Sequence, residues 1–322
     1  NFIRLVLKNN DVKIINLDAL TYAGNPENLR DIENDENYTF IHGRIQDFDL
    51  VSDIFKKYDI SGVINFAAES HVDRSIMDAR PFIDTNVNGT LVLLDNARKY
   101  AVEKFLQVST DEVYGSLGEH GKFTEESPIR PNSPYSASKA SADHLVMAYR
   151  ATYGIPVMIT RCSNNYGRYQ FPEKLIPLMI LNAIENKKLP VYGDGMNVRD
   201  WIHVLDHAEA LRTVYSKGKA GGIYNIGGNS EMPNITIVRK ILEILDKPES
   251  LIEFVKDRPG HDRRYAIDNT KIRSELGWFP KMDFESGLEM TVNWYLENTE
   301  WTERVRSGEY LNYYEKQYGN ID

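Results

Sequence analysis

The chain has 322 residues, 47 acidic and 38 basic for a net charge of -9, with 42 % hydrophobic residues and one cysteine. A chain of this size holds roughly one to three domains and needs neither disulfide nor metal to secure its core. The unpaired Cys162 excludes a disulfide framework and a cysteine zinc site and fits a reducing, cytoplasmic setting, while the acidic balance argues against a nucleic-acid partner.

The longest apolar run, Leu175 to Leu181, is far shorter than the roughly 20 residues that span a bilayer, and residues 1–10 show no signal-peptide pattern, so no membrane partner is expected. In chain order, Ile3, Leu5, Val6 and Leu7 have helical spacing, and Lys13 to Leu17 reads as a strand. Val51 to Tyr58 reads as a helix, Gly62 to Ala67 as a strand, Asn86 to Arg98 as a helix and Lys104 to Ser109 as a buried strand. Ser133-Pro134 opens a helix with a side-chain cap and a proline in its first turn, and Pro156 to Arg161 is a further strand. Alternating strands and helices predict an α/β fold with a doubly wound parallel sheet of Rossmann type over residues 1–165. Beyond it, 166–322 reads as a smaller mixed lobe. Its predicted elements are a strand within Gly221 to Gly228 that returns to the sheet, and helices at Thr236 to Leu245, Asn269 to Leu276 (stopped by Gly277) and Glu285 to Glu297.

Dinucleotide-binding units run strand, glycine turn, helix, strand, acidic residue. Here the chain starts within that helix, which leads to the expectation of a further strand and glycine turn, roughly 10 to 15 residues, ahead of Asn1.

Ligands of open α/β sheets sit at the carboxyl ends of the strands, which selects the candidate residues. Asp18 follows the first strand, where a carboxylate accepts both ribose hydroxyls of NAD and repels a 2'-phosphate; a turn or cap aspartate is the plain alternative. Ala67 and Ala68 leave room for a cofactor to approach, with Ser70 and His71 beyond them. The next strand ends in Ser109-Thr110-Asp111-Glu112, an unusual concentration of ionisable groups unless they are used or paired. Tyr135 and Lys139 share a helix face, and an ammonium beside a phenol favours the phenolate, making Tyr135 a base for a hydroxyl proton. His203 and His207 lack the glutamate of a zinc-protease helix, so no metal is assigned, and Cys162 reads as packed. Arg199, Arg258, Arg263 and Arg264 suit diphosphate oxygens or, equally, a surface salt-bridge set, and Tyr192 is placed to stack on a base.

Thr110, Tyr135 and Lys139, with Asp18 upstream, resemble the extended short-chain dehydrogenase/reductase family. The runs Ser109 to Gly115 (STDEVYG), 67–75 (AAESHVDRS), 160–167 (TRCSNNYG) and 258–265 (RPGHDRRY) resemble its dTDP-glucose 4,6-dehydratases over essentially the whole chain. That resemblance implies an NAD-dependent lyase that oxidises C4 of a dTDP-hexose, eliminates water across C5 and C6, and returns the hydride to C6. Tyr135 is then the base at C4, Lys139 its tuner and Thr110 a donor to the sugar oxygen, with Glu112 removing the C5 proton and Asp111 protonating the leaving hydroxyl. A plain 4-epimerase needs neither carboxylate, and a non-catalytic NAD-fold binding protein would need none of these groups. The resemblance also puts cofactor contacts on Asp18, Ala67, Ala68, Thr85, Tyr135 and Lys139. It puts sugar-nucleotide contacts on Ser70, Asn164, Lys174, Leu175, Pro190, Tyr192, Arg199, Asn234, Arg258 and His261. It implies a homodimer packed through the helices at 86–101 and 134–152. It departs at Arg44, where an acidic residue commonly meets the adenine, and in the absence of the family's glycine-rich turn.

Overall fold

Runs rich in β-branched residues, bounded by polar turns, set the frame of the computed structural model, which describes residues 1–9 and 12–306. Its strands are β1 (Ile14–Asp18), β2 (Tyr38–His42), β3 (Gly62–Asn65), β4 (Lys104–Thr110), β5 (Val157–Cys162) and β6 (Asn164–Tyr166), followed by β7 (Leu189–Tyr192), β8 (Val198–His203), β9 (Ile223–Ile226), β10 (Glu231–Pro233) and β11 (Ile252–Val255). β3, β4, β5 and β9 form an all-parallel sheet in that order, with Asn65 opposite Gln107, Thr110 opposite Cys162 and Cys162 opposite Ile226. β1 and β2 make a separate parallel pair in which Asp18 faces His42. β10, β8 and β6 form a mixed sheet, and β11 pairs in parallel with β7.

Side chains alternate across a strand, and the two faces of the main sheet are buried in different cores. Phe105, Val157 and Ile159 pack with Leu93, Leu94 and Val146 on one side. Leu106 and Met158 pack with Ile202, Leu211, Val214 and Tyr224 on the other. A third cluster fills the second lobe around Leu178, Ile180, Ile237, Ile241, Val292 and Tyr295.

Local signals place the helix that matters most. Ser133 caps Pro134–Tyr153 by accepting from Ser136 N at 3.1 Å while Ser136 Oγ accepts from Ser133 N at 3.1 Å, and Gly154 closes the helix at φ 74°. The helix read from Asn86 to Arg98 is different in kind. A short α-helical turn, Arg80–Phe82, widens into a π-helix over Ile83–Gly89 and returns to an α-helix at Thr90–Lys99. The wide turn carries Thr85 and the buried Asn86, in keeping with the use of π-turns at functional sites. Gly277 stops Thr270–Leu276 at φ 73°, and Phe284–Glu297 is capped by Asp283. The run from Leu175 is a helix, Leu175–Ile184, with residues 176–183 all buried. Among the described residues no helix is long and apolar enough to cross a membrane.

Candidate active site

β4 runs between β3 and β5, so its carboxyl end opens at the centre of the sheet. Thr110 caps the 3-10 turn Asp111–Tyr114, its Oγ1 accepting from Glu112 N at 3.2 Å, and this turn holds both carboxylates at the strand end. Gly115 follows at φ 85°, where a Cβ would meet the carbonyl oxygen of Arg130, so glycine is required for the chain to leave the turn.

The two carboxyls differ electrostatically. Asp111 is 2 % exposed. Burial, then the neighbouring Glu112 and Asp200, push its carboxyl well above the ordinary range, and its Oδ2 has no hydrogen-bond partner among the described residues. Burial also raises Glu112, but Arg258, Arg199 and Lys174 oppose it. Two acids whose environments set their proton affinities apart are suited to opposite roles.

Tyr135 and Lys139 lie at the start of the Pro134–Tyr153 helix, both buried. Tyr135 meets Phe82 edge-on at 6.3 Å, and the Thr110 hydroxyl acts on its phenol in favour of the ionised form. The expectation that Lys139 lowers the phenol's pKa does not hold in this structure. Burial and the Glu112 carboxylate push it well above its usual value, and Lys139 Nζ instead donates to Val108 O at 2.7 Å. The ammonium is a clamp between helix and strand, itself pulled down by burial with Asp143 opposing.

Two buried polar groups that the sequence reading missed support this centre. Asn86 donates to Ser138 Oγ at 2.8 Å and to Glu69 O at 3.0 Å, and accepts from Glu69 N at 2.8 Å, which joins the loop after β3 to the helix of Tyr135. Asp143, one turn beyond Lys139, accepts from Arg161 Nε at 2.9 Å, and Arg161 continues to Tyr114 Oη at 3.0 Å. The available signal was an arginine inside the hydrophobic strand β5 and an aspartate on the inward face of a capped helix.

The residues expected to hold a cofactor end β1, follow β3 or lie in the π-helical turn. Asp18 ends β1, exposed, with Oδ1 accepting from Leu20 N at 2.8 Å. Ala67 and Ala68 leave β3, the first held by its N–H on Asn65 Oδ1 at 3.1 Å. Thr85 accepts from Gln46 at 2.9 Å and lines a cleft of about 360 Å³ with Arg44, Glu69, Asp78, Arg80 and Asp84. An exposed carboxylate at the end of β1, small residues after β3 and a polar cleft beside them are a donor and acceptor set that fits a dinucleotide.

Of the residues expected to meet a sugar nucleotide, Lys174, Arg199 and Arg258 are near enough to Glu112 to act on its carboxyl. Lys174 Nζ donates to Ser70 O at 3.0 Å, and Leu175 begins the helix that follows Lys174. Asn164 opens β6 and Asn234 opens the Asn234–Ile244 helix, each with a buried Oδ1 that lacks a partner among the described residues. Pro190 and Tyr192 lie on β7, and Tyr192 Oη donates to Asp73 at 3.1 Å. Arg199 is buried on β8, its guanidinium 4.4 Å from the Tyr265 ring centroid and donating to Asp262 O. Arg258 also reaches Asp73, and His261 lies edge-on to Tyr192 at 6.0 Å with Nδ1 on Asp257. The arginine set therefore divides: Arg199 and Arg258 are at the site, whereas Arg263 forms an exposed two-bond pair with Asp194 and Arg264 pairs with Glu231. Cys162 is packed under Ser109 O, its thiol pushed up to about 12 by burial. His203 caps a helix through Leu205 N, and no group of metal ligands occurs among the described residues.

The family model for GDP-mannose 4,6 dehydratase matches residues 1–291. The chain belongs to this family. It is 54 % identical over 317 residues to the dTDP-glucose 4,6-dehydratase of Xanthomonas campestris pv. campestris (strain B100), covering 93 % of this chain and 90 % of that one. It is 50 % identical over 341 residues to dTDP-glucose 4,6-dehydratase 1 of Escherichia coli (strain K12), covering 98 % and 94 %. Among solved structures, the Bacillus anthracis str. Ames dTDP-glucose 4,6-dehydratase in complex with NAD superposes with a TM-score of 0.89 at 53 % identity over 95 % of each chain. The UDP-glucose 4-epimerase of Thermotoga maritima superposes at 0.86 with 27 % identity, over 92 % and 95 %. The GDP-mannose 4,6 dehydratase family fold thus carries both reactions, and the side chains at the end of β4 are what bear on the choice.

Proposed function

We propose that this chain converts dTDP-glucose to dTDP-4-keto-6-deoxyglucose and water, with NAD as a tightly held cofactor. The observation that carries the reading is the pair formed by the buried Asp111 and the half-buried Glu112, at the end of β4 beside Thr110 and Tyr135 and held at different proton affinities. NAD, when bound, supplies the oxidant at C4 and returns the same hydride at C6. Asp18, Ala67, Ala68 and Thr85 hold it, together with Tyr135 and Lys139.

Tyr135 takes the proton of the C4 hydroxyl while Thr110 donates to that sugar oxygen. Burial and the Glu112 carboxylate disfavour the Tyr135 phenolate, and NAD held by Asp18, Ala67, Ala68 and Thr85 would supply a positive charge that offsets them. With C4 a ketone, the C5 proton is acidic, and Glu112, whose carboxyl is raised by burial and pulled back toward ionisation by Arg258, Arg199 and Lys174, removes it. Asp111, whose carboxyl burial and the neighbouring Glu112 and Asp200 raise toward the protonated form, gives its proton to the departing C6 hydroxyl. The nucleotide is held by Ser70, Asn164, Lys174, Leu175, Pro190, Tyr192, Arg199, Asn234, Arg258 and His261; the unpartnered oxygens of Asn164 and Asn234 suit donor groups of a ligand, and the guanidiniums suit its anionic oxygens.

The protein acts in the cytoplasm as a homodimer, supported by the Thr90–Lys99 and Pro134–Tyr153 helices lying together on one side of the sheet. Incubation with dTDP-glucose tests the chemistry: the product is lighter by one water and carries a 4-keto group. An isobaric product refutes the dehydratase reading, and light scattering of the purified protein tests the dimer.

A further inference from the structure

Asp73 belongs to the short helix Val72–Met77 that follows the β3 loop, and it is 8 % exposed. Both of its carboxylate oxygens are used, each by a residue from the other half of the chain. Tyr192 Oη donates to Oδ2 at 3.1 Å and Arg258 Nη1 donates to Oδ1 at 3.2 Å, across sequence separations of 119 and 185 residues. No helix, strand or turn accounts for these contacts; they exist only because the two halves of the chain meet at this point.

We infer that Asp73 is a positioning residue for nucleotide binding, fixing the Tyr192 ring and the Arg258 guanidinium in the orientation that receives a nucleoside diphosphate. The inference rests on the reading of Tyr192 and Arg258 as sugar-nucleotide residues. Three features support it. First, Arg258 Nε is buried with no hydrogen-bond partner among the described residues, so Asp73 holds one edge of the guanidinium and leaves another for an anionic acceptor. Second, a phenol and a guanidinium are both donors, and a single carboxylate accepts from both at once, which an asparagine in that place cannot do. Third, Arg258 is also the foremost cation acting on Glu112. Without Asp73 the guanidinium is free to turn toward the ionised Glu112, away from the nucleotide. Asp73 thus keeps a binding cation and a proton-abstracting carboxylate apart within one pocket.

Asp73→Asn tests this, because the amide keeps the shape and places an NH2 group against one of the two donors. Calorimetric titration with dTDP is expected to show binding weakened about tenfold or more relative to the parent. In turnover with dTDP-glucose, KM rises by a similar factor and the acid limb of kcat moves to lower pH as Arg258 approaches Glu112, while NAD content and melting temperature match the parent. A folded Asp73→Asn protein that binds dTDP within about twofold of the parent overturns the inference. Should Asp73→Asn fail to fold, Tyr192→Phe removes one of the two bonds and keeps the ring. Its dTDP affinity is expected to fall about threefold or more, and an unchanged affinity overturns the inference equally. A parent protein that binds no dTDP is a different failure, since it removes the proposed function itself.

Discussion

Lys139 Nζ lies 2.7 Å from the carbonyl oxygen of Val108, so the helix that carries Tyr135 is clamped to the strand that ends in Thr110. The clamp sets the position of Tyr135 relative to Thr110, and it is charge-assisted in a buried place. Lys139→Met is expected to remove the clamp and the charge while leaving a chain of similar length. Turnover of dTDP-glucose falls by roughly 10²-fold or more. Circular dichroism of the variant should match the parent, and a variant with unimpaired turnover shows that the clamp is not needed.

Glu112→Gln separates the two halves of the reaction. The amide cannot take the C5 proton, so oxidation at C4 proceeds and elimination stops, with overall turnover down by roughly 10²- to 10⁴-fold. Rapid mixing with dTDP-glucose is expected to show absorbance of reduced nicotinamide that persists, whereas the parent shows it only transiently. Solvent deuterium should no longer enter C5.

The pH dependence follows from the same pair. Glu112 works ionised, and burial raises it above the usual 4.5, so kcat/KM is expected to fall as pH drops through a value higher than that. Asp111 works protonated and is raised well above 3.8, so activity also falls as pH rises through the raised value. The folded state holds the Asp111 proton more tightly than the unfolded chain does. Its contribution to stability is therefore full at acid pH and is lost as pH rises toward the folded value. Asp111→Asn is accordingly expected to lose the alkaline limb and most activity, yet melt at a higher temperature than the parent at pH 8, measured by scanning calorimetry.

The Asp143–Arg161 pair has the opposite character. Both side chains are buried at 2.9 Å, and Tyr114 and Asn225 extend the network across β5 to β9. Asp143→Ala leaves Arg161 buried without its counter-ion, which costs about 3–5 kcal/mol. Urea unfolding followed by tryptophan fluorescence measures this, and a loss below about 1 kcal/mol shows that Arg161 finds another partner or water.

Much of the frame was legible because its signals are local. Ser133-Pro134 announces the helix of Tyr135, Gly277 stops another, and the β-branched runs at 104–109 and 156–161 became β4 and β5. The strand-end rule likewise led to Thr110, Asp111 and Glu112. Other elements had no such signal. The helix from Leu175 is buried all round, so it shows no amphipathic period. β6 and β10 are three residues each, too short to carry a pattern. The π-turn through Asn86 depends on contacts to Glu69 and Ser138, and Asp73 is defined by partners more than a hundred residues away. The lysine's effect on the tyrosine was misjudged for a related reason: spacing puts two side chains on one face, but the backbone carbonyl that claims the ammonium comes from a different strand.

β9 follows the whole of β6 to β8 in the chain and yet completes the main sheet beside β5. The polypeptide therefore crosses between the two halves more than once, and they are stitched together, with no single tether joining them. Severing the chain near residue 165 would strip β5 of its neighbour and expose Met158 and Ile159 along a bare sheet edge, a template for aggregation. Because the chain leaves the main sheet after β5 and re-enters it at β9, the segment that carries β6 to β8 is anchored at both of its ends to neighbouring strands of one sheet.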